Sequence, residues 1–142
     1  AGREAKPGRA ILQSYQADHQ VIQALAAGSR DAFMATEAEG RRAVGFPPFG
    51  RLAALLLTGD KEQVVNDAAR MLALSVPAAD GVEVWGPAPA PLYRLRGRYR
   101  VRFLVKTRRD VSIQSYLKSW LDPVKLPSSV RRTVDIDPYS FL

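Results

Sequence analysis

The stretch RYRVRFLVK, Arg98–Lys106, alternates side chain by side chain. Tyr99, Val101, Phe103 and Val105 fall on one face; Arg98, Arg100, Arg102, Leu104 and Lys106 fall on the other. A period of two belongs to an extended chain, so this stretch is predicted as a β-strand with one face buried and one in water. Downstream, Asp110 stands where a helix cap is expected, ahead of Val111, Ile113, Tyr116, Leu117, Trp120 and Leu121 at helical spacing. Pro123 stops that helix. Val130–Ile136 then gives a last strand, with Arg131 and Arg132 exposed. Upstream, Gly86–Pro91 (GPAPAP) is expected to be a stiff extended linker, because its prolines lock φ and remove donors. Val82–Trp85 reads as a short strand and Lys61–Leu74 as an amphipathic helix capped by Asp60. Arg51–Thr58, RLAALLLT, reads as a buried strand.

The order is β-α-β-β-α-β. It predicts an α+β, ferredoxin-like domain: a four-stranded antiparallel sheet with two helices on one face and the other face open. This domain is assigned to residues 51–142. Before it, Gly45-Phe46-Pro47-Pro48-Phe49-Gly50 ends a helix read from about Ser29 or Arg30 to Ala43. A shorter helix carries Val21, Ile22 and Leu25, with Asp18 as its cap, His19 at its start and Gly28 as its stop. Arg9–Tyr15 (RAILQSY) reads as a strand and residues 1–8 as a loop. The chain opens on Ala1-Gly2-Arg3 without Met, so it is expected to be a piece of a longer protein.

Lys and Arg number 21 against 14 Asp and Glu, a net charge of +7 in 142 residues. That balance favours an anionic partner, nucleic acid first. Hydrophobic residues make up 46%, enough for a core. With no cysteine and one histidine, thiolate metal sites are excluded. Asp135 and Asp137 share a strand face but lack further ligands, so no metal is expected. Neither a membrane span nor a secretion signal is present, and a cytoplasmic location is expected. A Walker loop, a Gly-rich phosphate cradle and a Ser-His-Asp set are all absent, so this chain is not expected to be catalytic alone.

The basicity is concentrated. Arg94, Arg96, Arg98, Arg100 and Arg102 recur every two residues. Alternation sets Arg98, Arg100 and Arg102 about 7 Å apart on one sheet face, close to the phosphate spacing of an extended single strand. Arg94 and Arg96 lie in the approaching loop, and Arg131 and Arg132 on the last strand can join. Guanidinium forks suit phosphate oxygens, and such a stripe binds backbone in a sequence-tolerant, salt-sensitive way. The alternative is a solvated strand face kept charged against edge pairing. Tyr93 is the candidate for stacking on a base; Trp85, Tyr99, Phe103 and Trp120 are assigned to the core.

Three blocks, RRAVGFPPFGRLAAL (Arg41–Leu55), GPAPAPLYRLRGRYRVRFLVK (Gly86–Lys106) and KLPSSVRRTVDIDP (Lys125–Pro138), resemble in order the C-terminal part of the bacterial replication-restart helicases, the primosomal N′ or PriA family. The opening AGREAKPGRAILQSY resembles the end of that family's last motor motif. The resemblance implies a parent that is an ATP-dependent 3′→5′ DNA helicase acting in replication restart and primosome assembly. It implies two RecA-like lobes with an ATP and Mg site and a zinc insertion, all outside this sequence. Residues 1–50 would be the end of the second lobe and a connecting helix. Arg3 would match the arginine that reaches ATP phosphates. Residues 51–142 would be a ribosomal S10-like domain that binds DNA. The implied partners are single-stranded and forked DNA, other primosome proteins and the acidic tail of single-stranded DNA-binding protein. For that tail, Gln114 matches a pocket glutamine, while Asp110 departs from the pocket arginine and shifts that role to Arg109. Rival readings are a tail-docking module without DNA contact, an S10-type RNA binder and an acylphosphatase-like domain. The last needs a phosphate cradle where Thr58-Gly59-Asp60-Lys61 places an acid.

Overall fold

In the computed structural model, which describes residues 10–138, eight elements follow one another. They are α1 (Gln20–Ala26), α2 (Arg30–Ala43), β1 (Gly50–Gly59), α3 (Glu62–Leu74), β2 (Val82–Leu95), β3 (Arg98–Arg108), α4 (Ile113–Leu121) and β4 (Arg131–Ile136). The chain divides into two units, the first ending at Ala43 and the second beginning at Val44. In the first, α1 and α2 are joined at Gly28, whose φ of +67° suits glycine. Neither helix buries a residue.

The second unit is the ferredoxin-like fold. Its sheet has the order β2-β3-β1-β4, with all three neighbouring pairs antiparallel. The apolar phase of β1 (Ala53, Leu55, Leu57) meets that of β3 (Val101, Phe103, Val105) beneath α3 and α4. Trp120 lies at the centre, 1% exposed. Its ring meets Phe103 edge-on at 5.5 Å, and its Nε1 donates to Leu72 O at 3.0 Å. Such a pair is worth roughly 0.5–1.5 kcal/mol beyond the area it buries.

The proline run is not a linker. β2 continues through it, because β2 is an edge strand and a missing N–H costs nothing on the side that has no neighbour. The ladder breaks twice. Trp85 pairs with Leu104 and Ala88 with Arg102, so Gly86 and Pro87 together face Phe103. Pro89 pairs with Val101 and Arg94 with Tyr99, so the four residues 90–93 arch over Arg100 alone. Gly86 must be glycine: its φ is +113°, and a Cβ there would lie 2.8 Å from Arg102 O. The hairpin closes on Arg96 and Gly97, both with positive φ, the signature of a tight two-residue turn.

Other expectations change for local reasons. Ala10–Tyr15 forms no strand; no strand of the sheet pairs with it, and Ile11 is 84% exposed. The cap of α1 is His19, whose Nδ1 accepts from Val21 N, and not Asp18. Asp60 caps nothing because Arg98 holds it; the α3 cap residue, Lys61, makes no side-chain cap. Asp110 is held by Arg108, and Ser112 caps α4 by accepting from Ser115 N. Trp85 is not in the core.

Candidate nucleic-acid interface

Opposite the helices the sheet has a second face. The register places Arg98, Arg100, Arg102, Leu104 and Lys106 of β3 on it, beside Thr58, Leu56 and Ala54 of β1. Across β1, Arg131 pairs with Thr58, which pairs with Arg100, so one row of the face reads Arg131, Thr58, Arg100. The predicted stripe is therefore assembled, and Arg131 extends it sideways by two strands, about 10 Å.

The stripe is anchored as well as charged. Arg98 Nη1 donates to Asp60 at 2.9 Å and Nη2 to Thr58 O at 3.2 Å. Arg100 Nη1 donates to Pro91 O at 3.1 Å, fastening the arch of β2. Lys106 Nζ lies 2.8 Å from Glu83 and donates to Val44 O at 3.2 Å. A guanidinium carries five donors, so one or two such bonds fix its place and leave others for an incoming oxyanion. Asp135, opposite Ala54, and Glu83 bring negative charge to the two edges and leave the middle of the face positive.

The remaining sequence candidates separate. Arg132 is out of phase with Arg131; its Nη1 donates to Leu121 O at 2.7 Å, at the C-terminal end of α4. Arg94 pairs with Tyr99 and its guanidinium lies 5.3 Å from that ring's centre, while Arg96 occupies the hairpin tip. Tyr93 is engaged rather than open. Its hydroxyl accepts from Asn66 and donates to Glu62 at 2.9 Å, and its ring meets Tyr99 edge-on. The Asn66 bond lowers the phenol pKa, but desolvation and the Glu62 carboxylate outweigh it and the net shift is upward. Arg109 is exposed in the turn after β3, and Gln114 is exposed in the first turn of α4. Arg3 lies outside the described residues.

An aromatic residue does lie on the open face: Trp85, a core candidate by residue type. It is 41% exposed, and Lys106 Nζ lies 5.2 Å from its ring centre. The signal was its phase: in VEVW, Trp85 alternates with Val84 and shares parity with Glu83, the polar side. A recess of about 360 Å3 opens beside it, lined by Ala54, Gly86, Ala88, Arg102 and Leu104. Among the described residues, no helix is long and apolar enough to cross a membrane.

The chain matches the family model described as the primosomal protein N C-terminal domain over residues 42–139. It is 38% identical over 141 residues to a protein named replication restart protein PriA from Rickettsia conorii. That alignment covers 99% of this chain and 22% of the relative. Proteins of the same name from Synechocystis and Bacillus subtilis are 35% and 30% identical, over 99% and 100% of this chain and 17% and 18% of their own lengths. The chain thus spans about a fifth of the length of the curated relatives it matches.

Proposed function

The chain belongs to the primosomal protein N C-terminal domain family, and from that premise we propose that it is the DNA-gripping end of an ATP-dependent 3′→5′ helicase that restarts replication. The relatives' name supports the restart role. The observation that carries the DNA contact is the open sheet face, where Arg98, Arg100 and Arg102 lie in one line with Arg131 beside it. In this reading the guanidinium row holds successive phosphates of a single strand or of a fork arm. Contacts of that kind position the nucleic acid without reading its bases. ATP hydrolysis, Mg and Zn belong to the parent chain, and the part described here supplies hold and docking.

Fluorescence anisotropy with single-stranded and forked DNA tests the reading across a salt series. The wild-type chain binds, with a negative slope of log affinity on log salt. Alanine at Arg98, Arg100 and Arg102 together reduces that slope by roughly 0.7 for each single-strand phosphate lost. Because Arg98 and Arg100 also brace the hairpin, a thermal melt accompanies each titration. A folded triple variant with unchanged affinity and slope removes the stripe from the site.

A second function, docking of an acidic protein tail, is favoured by the exposure of Arg109 and Gln114 within one short stretch at the start of α4. An acidic, Phe-terminated peptide is expected to lose affinity when Arg109 and Gln114 become alanine. Its competition with DNA reports whether the two partners share a surface.

A further inference from the structure

The chain holds two tryptophans in opposite circumstances. Trp120 is 1% exposed with its N–H bonded, whereas Trp85 is 41% exposed on the open face of an edge strand. Trp85 therefore leaves a large part of its ring in water on a basic face, where an aromatic surface is open to a partner. Its surroundings are built. The extra residue at Gly86–Pro87 lets Trp85 and Ala88 lie on the same face with a recess between them. Glycine at 86 is what lets β2 approach Arg102 O and Phe103 closely. Lys106, held by Glu83 and the Val44 carbonyl, braces the indole through a cation–π contact.

We infer that the recess beside Trp85 seats one unpaired nucleobase of a single strand, stacked on the indole, with the neighbouring phosphates on Arg102 and Arg100. The inference rests on the DNA-binding reading above and adds to it a contact that depends on bases. Charge sets the direction. Glu83 neutralises Lys106 at the Trp85 end, so the uncharged base belongs there and the phosphates belong at the arginine end. Arg102 and Leu104, the cross-strand partner of Trp85, are two strand steps apart, about 7 Å. That is a base-to-phosphate offset within one or two nucleotides of extended strand. The volume, about 360 Å3, lies at the small end of ligand recesses, which run from roughly 300 to 1,000 Å3. Stacking accepts every base, so the seat favours single strands over duplex without selecting sequence. Tyr93 cannot offer the same platform, because Glu62, Asn66 and Tyr99 already hold it.

The test compares oligothymidylate with an abasic oligonucleotide of equal length and charge, titrated against the whole chain. Wild type should prefer oligothymidylate roughly tenfold, within the range of single-base stacking. Trp85→Ala should abolish the preference and leave abasic affinity unchanged, and Trp85→Phe should keep most of it. Oligothymidylate should quench wild-type tryptophan fluorescence but not that of Trp85→Phe, where Trp120 alone remains. Equal wild-type affinity for the two oligonucleotides overturns the seat and leaves the phosphate-binding reading standing; this arm needs no variant to fold. Binding of neither overturns both. Quenching by an acidic Phe-terminated peptide but not by oligothymidylate assigns the recess to a protein partner and overturns the nucleobase.

Discussion

Arg131 and Arg132, adjacent on β4, serve opposite sides of the sheet. Arg131 joins the row with Thr58 and Arg100 on the open face, and Arg132 Nη1 donates to Leu121 O at 2.7 Å among the helices. A cation at a helix C-terminus meets carbonyls that lack partners within the helix. Arg132→Ala is therefore expected to lower stability by about 0.5–1 kcal/mol in urea unfolding and to leave the DNA salt slope unchanged. Arg131→Ala is expected to do the reverse, reducing the slope by about 0.7 with no change in the melt. The opposite pattern would reverse the assignment of faces.

Gly86→Ala should be costly. The added Cβ would lie 2.8 Å from Arg102 O, at a φ of +113° that other residues avoid. A loss of roughly 1–3 kcal/mol follows from the strained conformation alone. Urea unfolding measures it, and a loss below about 0.5 kcal/mol would mean the β2 bulge reorganises freely.

Thr107 is 1% exposed, and its hydroxyl has no hydrogen-bond partner among the described residues. A buried hydroxyl without a partner costs about 1–3 kcal/mol of desolvation. Valine has nearly the same shape and no such group. Thr107→Val is expected to raise stability by roughly 1 kcal/mol, read from the urea midpoint at constant m. Destabilisation would show that the hydroxyl has a use in solution.

Asp110 has its carboxyl held below the ordinary range, first by the hydrogen bond from Arg108. A depressed folded pKa favours the charged form in the fold. The contribution is therefore present above the unfolded pKa and lost as pH falls through the folded one. NMR titration of the Asp110 side-chain carboxyl should give a midpoint below that of an unperturbed aspartate. Arg108→Gln should move the midpoint back up; no movement would exclude Arg108 as the cause.

Periodicity carried most of the fold. Arg98–Lys106 alternates over nine residues, and both core helices show an apolar stripe, so their types and order followed directly. The arginine stripe was visible for the same reason. What escaped was set by neighbours. Asp60 and Asp110 sit where caps belong, but Arg98 reaches Asp60 from the next hairpin and Arg108, in the same turn, takes Asp110. Ala10–Tyr15 has the composition of a strand, but among the described residues no strand pairs with it. Trp85 and Arg132 were assigned by residue type, although the parity of Glu83 with Trp85, and of Val130 and Val134 with Arg132, pointed the other way.

The two interruptions of β2 differ in how they tolerate a change of length. Residues 90–93 are already off the ladder and are held through side chains instead, by Arg100 on Pro91 O and by the Tyr93 hydroxyl on Glu62 and Asn66. A residue gained there leaves the pairs Pro89–Val101 and Arg94–Tyr99 intact, because a longer arch closes at little extra entropy. Gly86–Pro87 has no such slack. Deleting one of the two restores a regular ladder, keeps Trp85 on its face and flattens the recess beside it. Length variation within the family should therefore collect at the arch, and a copy that has lost a residue at the bulge should retain the basic row without the hollow next to its tryptophan.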